Sequence, residues 1–413
     1  MKKTTCLKSK PAGYRNLSAV GLTALLASTA PLRAAPAPAT YNPAFVENLL
    51  HRLESAESEI RDLKSKPAAP ATVAEMPAAP VPESFPRLQF HGFGDVTYHA
   101  NDVKGDHNTF TLGQFDIFVT SQLSKKVGVL SETVIEAGGE ENHFGIEIER
   151  LLLQVHLNDY FNMDIGRYHT SVGYYNTAYH HGTWFQTAVG RPAMLDFEDG
   201  GGIIPAHNVG VSFYGEVPSG KLNLRYVFEV GNGRAYQAPG TGDNLVLNVQ
   251  DDNDYKSFNL AFTARPDFLP GVQVGAGIYH DTVTSVIGSP RIDETMLHGH
   301  AVYKNAAWEF LSEGYLIYHD VKGMGTHWTP AGFVQAARKF GDFTPYARFS
   351  YLNTSMNNPV YAFIGDSGHH YGPGMGLRWD FCSLAAFKAQ FDRMWNTGTR
   401  GANEFTLQAT FTF

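Results

Sequence analysis

Apolar and polar residues alternate along most of the chain after residue 87, in segments of about ten residues. The segment Asn403–Phe413 shows this clearly, because apolar residues occupy every second position from Phe405 to Phe413. Successive side chains of a β-strand point to opposite faces, so each segment is predicted to be a strand with one apolar and one polar face. Taken alone, such a strand fits either the wall of a barrel or the edge of a soluble sandwich.

The connections between these strands are alternately short and long. Short turns are predicted near residues 124–126, 158–160, 218–220, 266–271, 305–306, 341–343 and 383–385. Longer polar connections are predicted near residues 101–109, 138–143, 171–208, 232–254, 284–293, 321–328, 355–372 and 396–402. These connections imply about sixteen strands across residues 87–413, with tight turns at one end of a barrel and long loops at the other. The sequence therefore predicts an all-β fold, a transmembrane antiparallel β-barrel closed by pairing of Asn403–Phe413 with Arg87–His99.

Residues 1–39 are predicted to be a secretory signal peptide. Basic residues from Lys2 to Arg15 precede an apolar stretch from Leu17 to Ala30, and small residues follow it. Removal of this segment takes six Lys and Arg residues from a chain whose formal net charge is −8. The remaining chain is more acidic, which argues against nucleic acid as a partner.

Residues 40–66 are predicted to form a short periplasmic coiled-coil helix ahead of the barrel. Their apolar residues, from Val46 to Leu63, recur at alternating spacings of three and four. A single amphipathic helix docked on its own protein is the alternative. Residues 67–86 are rich in Pro and Ala, a composition that gives an extended linker between this helix and the barrel at 87–413.

Composition agrees with a membrane barrel. The mean hydropathy is −0.22, and after the signal segment no apolar run reaches the ~18 residues of a membrane-spanning helix. Alternation dilutes the apolar residues of a barrel wall, so a low hydropathy is expected of one. Of the two cysteines, Cys6 is removed with the signal peptide and Cys382 remains, so no intrachain disulfide is expected.

Several stretches resemble outer-membrane porins related to the phosphate-selective group. They are Gly166-Arg167-Tyr168 with Gly173-Tyr174-Tyr175-Asn176, Trp308-Glu309-Phe310 with Glu313, and Thr344-Pro345-Tyr346-Ala347-Arg348-Phe349. The N-terminal coiled coil is similar to that group, and the aromatic-ended last strand resembles the closing strand read by the outer-membrane assembly machinery. The resemblance implies a sixteen-stranded, trimeric porin in the bacterial outer membrane. Such a channel passes small polar solutes or ions by diffusion, in contact with membrane lipid and without a cofactor.

Candidate pore residues follow from the inward, polar faces of the predicted strands. They are Arg225, Arg348, Arg378, Lys388, Asp116, Glu132, Glu229, Glu309 and Glu313, joined by Glu136, Asp380, Asp392 and Glu404. Arg167 is not assigned to a face, because the alternation slips at Gly166. Phosphate-selective members line their pores with a ladder of Lys and Arg, whereas carboxylates are in excess here. That excess predicts a modest preference for cations.

The longest connection, Ser171–Asn208, is predicted to fold into the barrel and narrow the pore. It contains apolar residues that need burial, from Trp184 to Ile204, and structureless loops of this length are normally functional. Since the predicted inner wall is polar, the loop itself is expected to supply the packing. Its acidic residues Asp196, Glu198 and Asp199 are candidates for the constriction, opposite Arg225, Arg348 and Arg378. A lid over the barrel mouth, or packing against a neighbouring subunit, is the alternative.

An outer-membrane enzyme and a structural envelope tether are the rival functions. His298 and His300 share one strand face at a spacing that could hold a metal. No HExxH, GxSxG or Gly-rich phosphate motif is present in the sequence, and polar lumen residues account equally for the histidines. We therefore predict neither a catalytic set nor a metal or cofactor site.

Overall fold

The strands of this chain close into a barrel. The computed structural model describes residues 86–137, 144–180, 182–195, 203–236, 245–247, 251, 253–284, 290–355, 357–358, 360, 368–397 and 400–413. The predicted signal peptide, the predicted helix over 40–66 and all but the last residue of the linker lie outside these residues. So do the candidate constriction residues Asp196, Glu198 and Asp199.

Within the described chain, sixteen antiparallel strands form the wall of the barrel. They are β1 (Arg87–Asn101), β2 (Thr109–Gln122), β3 (Val127–Ala137), β4 (Phe144–Asn158), β5 (Phe161–His169), β6 (His207–Val217), β7 (Leu224–Gly231), β10 (Ser257–Ala264), β11 (Val272–Val283), β12 (Ile292–Lys304), β13 (Trp308–Val321), β14 (Gly325–Arg338), β15 (Phe343–Thr354), β16 (Gly368–Cys382), β17 (Ala385–Asn396) and β18 (Ala402–Thr412). Two short strands, β8 (Arg234–Tyr236) and β9 (Leu245–Leu247), form a separate ribbon between β7 and β10.

The first and last strands close the barrel. β1 pairs with β18 in a register that runs from Phe93 opposite Thr412 to Asn101 opposite Glu404. Every other wall strand pairs with its neighbours along the chain, and β7 pairs with β10 across the ribbon. The predicted count of sixteen strands and the predicted closure by the last strand are both confirmed.

The alternating pattern places apolar side chains on the outside of the wall. On β18, Phe405, Leu407 and Phe411 are exposed, whereas the intervening Thr406 and Gln408 are buried on the inner side. Because the side-chain period of a strand is two, one choice of register fixes the direction of every side chain. The predicted apolar faces are therefore the outer faces of the barrel.

The predicted long connection near residues 321–328 is wrong. β13 ends at Val321 and β14 begins at Gly325, so three residues make the turn. Gly323 and Gly325 adopt φ values of +81° and +92°, which glycine tolerates and other residues rarely adopt. The polar residues that follow Gly325, read as loop from the sequence, continue the strand beyond the apolar part of the wall.

The described parts of residues 170–206 (170–180, 182–195 and 203–206), here called the inner loop, cross the interior of the barrel. The loop contains helix α1 (Tyr175–Ala178) and a single 3₁₀ turn at Ala193–Leu195. Its backbone amide at Tyr175 donates to Glu313 on β13, and its carbonyl at Thr183 accepts from Lys388 on β17, on another side of the wall. In the described part of the chain, no helix is long and apolar enough to cross a membrane.

The hydrophobic core lies inside the barrel, between the inner loop and one side of the wall. From the loop, Val172, Met194, Leu195, Ile203 and Ile204 are buried in it. From the inner faces of β11–β15, its members include Tyr279, Met296, Leu311, Ile317, Phe333 and Leu352. The expectation that the wall has no apolar inner face large enough for a core is wrong, because these strands carry apolar residues on both faces and their alternation is correspondingly weak.

Candidate functional site

The inner loop enters the barrel with its backbone N–H groups directed at wall carboxylates. The amide of Ser171 donates to both oxygens of Glu229 on β7, at 3.0 and 3.1 Å. The amide of Tyr175 donates to Glu313 on β13 at 2.5 Å. Both carboxylates are buried, and hydrogen bonds from backbone amides compensate the cost of burying their charge.

Another part of the loop, segment 183–190, is held by cationic side chains of the wall, which donate hydrogen bonds to its carbonyl groups. Arg348 on β15 donates to the carbonyls of residues 189 and 190, at 3.1 and 2.9 Å. Arg378 on β16 donates to those of residues 184 and 186, at 2.8 and 3.0 Å. Lys388 on β17 donates to those of residues 183 and 188, at 2.5 and 3.4 Å. These three predicted pore residues therefore anchor segment 183–190 to the wall.

The remaining candidates face the interior at separate places. Asp116 and Glu132 are buried on β2 and β3, and Glu132 pairs with Arg150. Glu309 lies 3.1 Å from Lys304 and shares a cavity of about 360 Å³ near the turn at 305–307 with Arg378. Arg225 borders another cavity, of about 260 Å³. The structure therefore disperses these residues around the wall.

Tyr179 of the inner loop contacts the same ion pair. Its hydroxyl lies against the Lys304 ammonium and 3.4 Å from Glu309. Burial, followed by the nearby Glu309 charge, raises the pKa of the Tyr179 phenol above its ordinary value. The phenol therefore remains a neutral hydrogen-bonding group at physiological pH.

A cavity of about 550 Å³, lined mostly by polar residues, lies between the inner loop and the wall formed by β1, β2 and β15–β18. The charged side chains at its surface are His99, Arg191, Arg348, Asp392 and Glu404. His99 lies 2.9 Å from Glu404, and Arg348 is already bound to the loop carbonyls. Acidic and basic groups are therefore balanced around this cavity.

His298 and His300 border the same cavity, and each has its own hydrogen-bond partners. Nδ1 of His298 accepts the amide N–H of Gly173 at 3.0 Å, and its Nε2 lies 3.3 Å from the Asn259 side chain. His300 is hydrogen-bonded to Gln273 at 3.1 Å. His298 thus joins the carboxylates that hold the entry of the inner loop.

Another group of histidines does converge. Glu149 on β4, His169 on β5, His180 in the inner loop and His207 on β6 bring one ligand atom each within 4.8 Å of the others. We call these four residues the histidine cluster. Three of them are buried and the fourth, His169, has a side chain that is 6 % exposed. A set of three imidazoles and a carboxylate is chemically suited to a transition metal ion.

A break in the alternation of the sequence marks this cluster, although no metal-binding motif does. The register between β3 and β4 shifts at Glu132/Thr133, which leaves Glu149 as the extra residue of a β-bulge. The outward-facing positions of β4 therefore change from even-numbered to odd-numbered residues between Ile148 and Leu151, both of which are exposed. Bulges redirect side chains and are frequent beside functional sites. Together with the slip at Gly166 on β5, this break marks the part of the wall that carries the cluster.

Comparison with known proteins gives similarity in structure only. No protein-family model matches the chain, and no curated protein sequence matches it. The outer membrane channel DcaP of Acinetobacter baumannii is 10% identical with a TM-score of 0.57, covering 79% of this chain and 97% of that one. OmpT, an outer membrane protein of Vibrio cholerae, is 12% identical with a TM-score of 0.54, covering 81% and 100%. An anion-selective porin from Comamonas acidovorans is 11% identical with a TM-score of 0.54, covering 80% and 100%. At these identities the likeness establishes the fold, the closed barrel of outer-membrane proteins.

Proposed function

We propose that this protein is a porin of the bacterial outer membrane, a water-filled channel through which small polar solutes or ions diffuse. The outer wall supports the membrane location. On β10, for example, Phe258, Leu260 and Phe262 are 46, 38 and 46% exposed although they are large and apolar. Exposed apolar bands of this extent are unfavourable in water and favourable against lipid hydrocarbon.

Aromatic pairs at both ends of the outer wall support the same location. Near the short turns, Trp308 and Phe310 stack with ring centroids 5.4 Å apart. Near the long connections, Tyr371 and Trp395 stack at 5.6 Å. Aromatic side chains prefer the membrane–water interface, and two such girdles are typical of outer-membrane barrels.

The observation that carries the proposed function is the polar cavity beside the inner loop. It follows the side of the barrel opposite the hydrophobic core, where the inner faces of β1 and β15–β18 are polar. A closed barrel of sixteen strands encloses more space than its side chains fill, and here the loop fills one side of it. We infer that the space left between loop and wall is the pore.

The proposed pore discriminates weakly between cations and anions. The carboxylates that predicted cation preference include Glu229 and Glu313, and both are bound to backbone amides beneath the inner loop. At the proposed pore, Arg191 and Arg348 balance Asp392 and Glu404. Selectivity follows the charges that line the opening, so the excess of lumenal carboxylates over the whole barrel does not set it.

Planar-bilayer recordings test the channel and the role of the loop together. The purified protein is expected to form open, ohmic channels. Replacing residues 184–202 by a short Gly-Ser linker is expected to raise the single-channel conductance severalfold, because in its described part Gln186 and Arg191 border the proposed pore. The matched control replaces residues 102–108, an exposed connection between β1 and β2, with Gly-Ser of equal length, and its conductance is expected to equal that of the wild type.

Each variant is first shown to be folded by its shifted mobility on unheated gels. A wild-type protein that inserts without conducting would contradict the channel function. A conducting wild type whose folded loop variant has unchanged conductance would retain the channel and place the constriction elsewhere.

Assembly and kinship complete the proposal. Kinship with the phosphate-selective group rests on the sequence stretches quoted above, and it is proposed without phosphate specificity.

A homotrimer is supported by the likeness to OmpT of Vibrio cholerae in its trimer form, which is 14% identical with a TM-score of 0.52. The helix over 40–66 would then form a parallel bundle of three, and the last strand would be recognised by the outer-membrane assembly machinery. Native mass in detergent, with and without residues 40–66, tests the trimer.

A further inference from the structure

The histidine cluster draws its members from four separate chain segments that meet on one side of the barrel. Oε2 of Glu149 lies 2.7 Å from Nε2 of His207 and 3.3 Å from Nε2 of His180. The ring centroid of His169 lies 4.0 Å from that of His180 and 4.8 Å from that of His207. Three wall strands and the inner loop therefore converge on one carboxylate oxygen.

The hydrogen bonds of Asn176 determine which nitrogen of His180 carries its proton. The Asn176 amide nitrogen donates to the carbonyls of Thr170 and Ala206, at 2.9 and 2.8 Å, so its oxygen must face His180. That oxygen lies 3.1 Å from Nδ1 of His180 and can only accept, which places the proton on Nδ1. Nε2 of a neutral His180 then directs a lone pair at the Glu149 carboxylate. Either a proton on Nε2 or a metal ion between the two groups relieves the repulsion of these lone pairs.

Two further features point to a ligand. Nε2 of His169 has no hydrogen-bond partner although the side chain is 94% buried, since its exposed fraction is 6%. A carboxylate oxygen of Glu132 lies 3.8 Å from it, beyond hydrogen-bonding distance. His180 itself adopts a φ of +42°, a conformation that a residue other than glycine rarely adopts. The fold thus holds a strained residue and an unpartnered imidazole beside the same carboxylate.

We propose that Glu149, His169, His180 and His207 bind a divalent transition metal ion of the Zn²⁺ type. Imidazole nitrogens and one carboxylate oxygen are preferred ligands of Zn²⁺, and four such ligands complete a tetrahedral site. With metal–ligand bonds of about 2.0–2.1 Å, neighbouring ligand atoms lie about 3.4 Å apart. The 3.3 Å between Nε2 of His180 and Oε2 of Glu149 already matches this separation, and one ligand atom of each of the four residues lies within 4.8 Å of the others.

The groups around the cluster fit a bound cation. Arg150 and Arg167 lie beside it, and each is paired with a carboxylate, Glu132 and Glu147 respectively. The arginines therefore add no net charge to the surroundings, and the Glu149 carboxylate supplies the negative charge at the centre. The side-chain oxygen of Asn176 accepts a hydrogen bond from Nδ1 of His180, and such an outer acceptor orients a metal-binding imidazole.

His207 has to change its protonation when the metal binds. Nη2 of Arg167 lies 3.2 Å from Nδ1 of His207, and a guanidinium only donates, so Nε2 carries the proton in the metal-free protein. Binding moves that proton off Nε2. Nδ1 then takes a proton, and Arg167 retains its contact with Glu147.

The ligand set assigns the metal a structural role. All four positions of a tetrahedral site are filled by protein, and catalytic zinc sites keep one position for water or substrate. The ion would fix the inner loop at His180 to strands β4, β5 and β6. This role stands independently of the proposed channel, because it concerns how the loop is held inside the barrel.

Metal binding to the full-length protein in detergent tests the proposal. After treatment with EDTA and removal of the chelator, the wild type is expected to take up one Zn²⁺ per chain, measured by elemental analysis. Co²⁺ in its place is expected to give the intense visible absorption of a tetrahedral site. Competition with a metal indicator gives the affinity, which His169→Gln and His180→Gln are expected to lower by more than the ~10–100-fold typical of outer-sphere changes.

His300→Gln is the matched control, since His300 lies inside the barrel and outside the cluster, and it is expected to keep the wild-type affinity. A wild type that takes up neither metal would overturn the proposal, and so would uptake that both cluster variants retain. If the variants fail to fold, the Co²⁺ spectrum of the wild type still decides. Tetrahedral absorption with nitrogen ligands supports the site, and its absence refutes it.

Discussion

At the scale of single residues, two irregular positions on neighbouring strands shape the interior of the barrel. Glu149 is the extra residue of the bulge on β4, and Gly166 on β5 adopts a φ of +137°. A Cβ atom on Gly166 would lie 1.9 Å from the carbonyl oxygen of Leu151. The close approach of β5 to β4 therefore depends on a residue without a side chain.

We expect Gly166→Ala to destabilise the barrel by roughly 2 kcal/mol or more, since it combines an unfavourable φ with a clash against backbone. Gly145→Ala is the matched control, because Gly145 lies on the adjacent β4, has an ordinary φ and has no atom within 4 Å of the added Cβ. Urea unfolding in detergent or lipid, followed by tryptophan fluorescence, gives both values. Equal stability of the two variants would show that β5 can shift away from Leu151 without cost.

At the scale of elements, the inner loop is held by bonds between charged wall residues and its own backbone. Carboxylates bind the amides of its entry, and cations bind the carbonyls of segment 183–190. A segment without regular secondary structure cannot satisfy its backbone groups internally, so a buried loop needs partners of this kind. Side chains that the sequence presents as pore charges thus act as ligands of the loop.

Arg378→Met is expected to loosen segment 183–190 by removing two charged hydrogen bonds and the contact of the guanidinium with Trp184, whose ring centroid lies 5.0 Å away. Each lost bond from the charged guanidinium contributes roughly 1.5–3 kcal/mol. Single-channel recordings are expected to show greater current noise and a higher mean conductance. Arg338→Met is the control, because Arg338 stacks on Trp308 at 4.7 Å on the outer wall, away from the loop. Equal noise in both variants would argue against an anchoring role for Arg378.

At the scale of the whole molecule, the barrel is divided into a filled side and an open side. The apolar inner faces of β11–β15 pack against the inner loop, and the polar inner faces of β1 and β15–β18 border the cavity of about 550 Å³. The charges that matter for passage are those on the open side. Their balance, rather than the acidic total of the chain, is expected to set the ion selectivity.

The double substitution Asp392→Asn with Glu404→Gln removes both carboxylates at the proposed pore. We expect it to lower the cation-to-anion permeability ratio by at least about twofold at low salt, and by less at high salt where screening is strong. Reversal potentials in a KCl gradient measure the ratio. Asp320→Asn, which removes one carboxylate on the outer side of β13, serves as the control and is expected to leave the ratio unchanged. A strong cation preference in the wild type would restore the interpretation drawn from the overall carboxylate excess.

The sequence by itself determined the strand count, the direction of the side chains and the closure of β1 on β18, because alternation with a period of two is a local property. It also indicated that the loop after β5 needs burial, since apolar residues such as Met194 and Ile204 cannot remain in water. Only the tertiary structure decided which residues of the wall pack against them. The apolar inner patch, the loop anchors at Arg348 and Arg378 and the histidine cluster all depend on distances across the lumen, between strands far apart in the chain. Alternation along one strand carries no information about those distances.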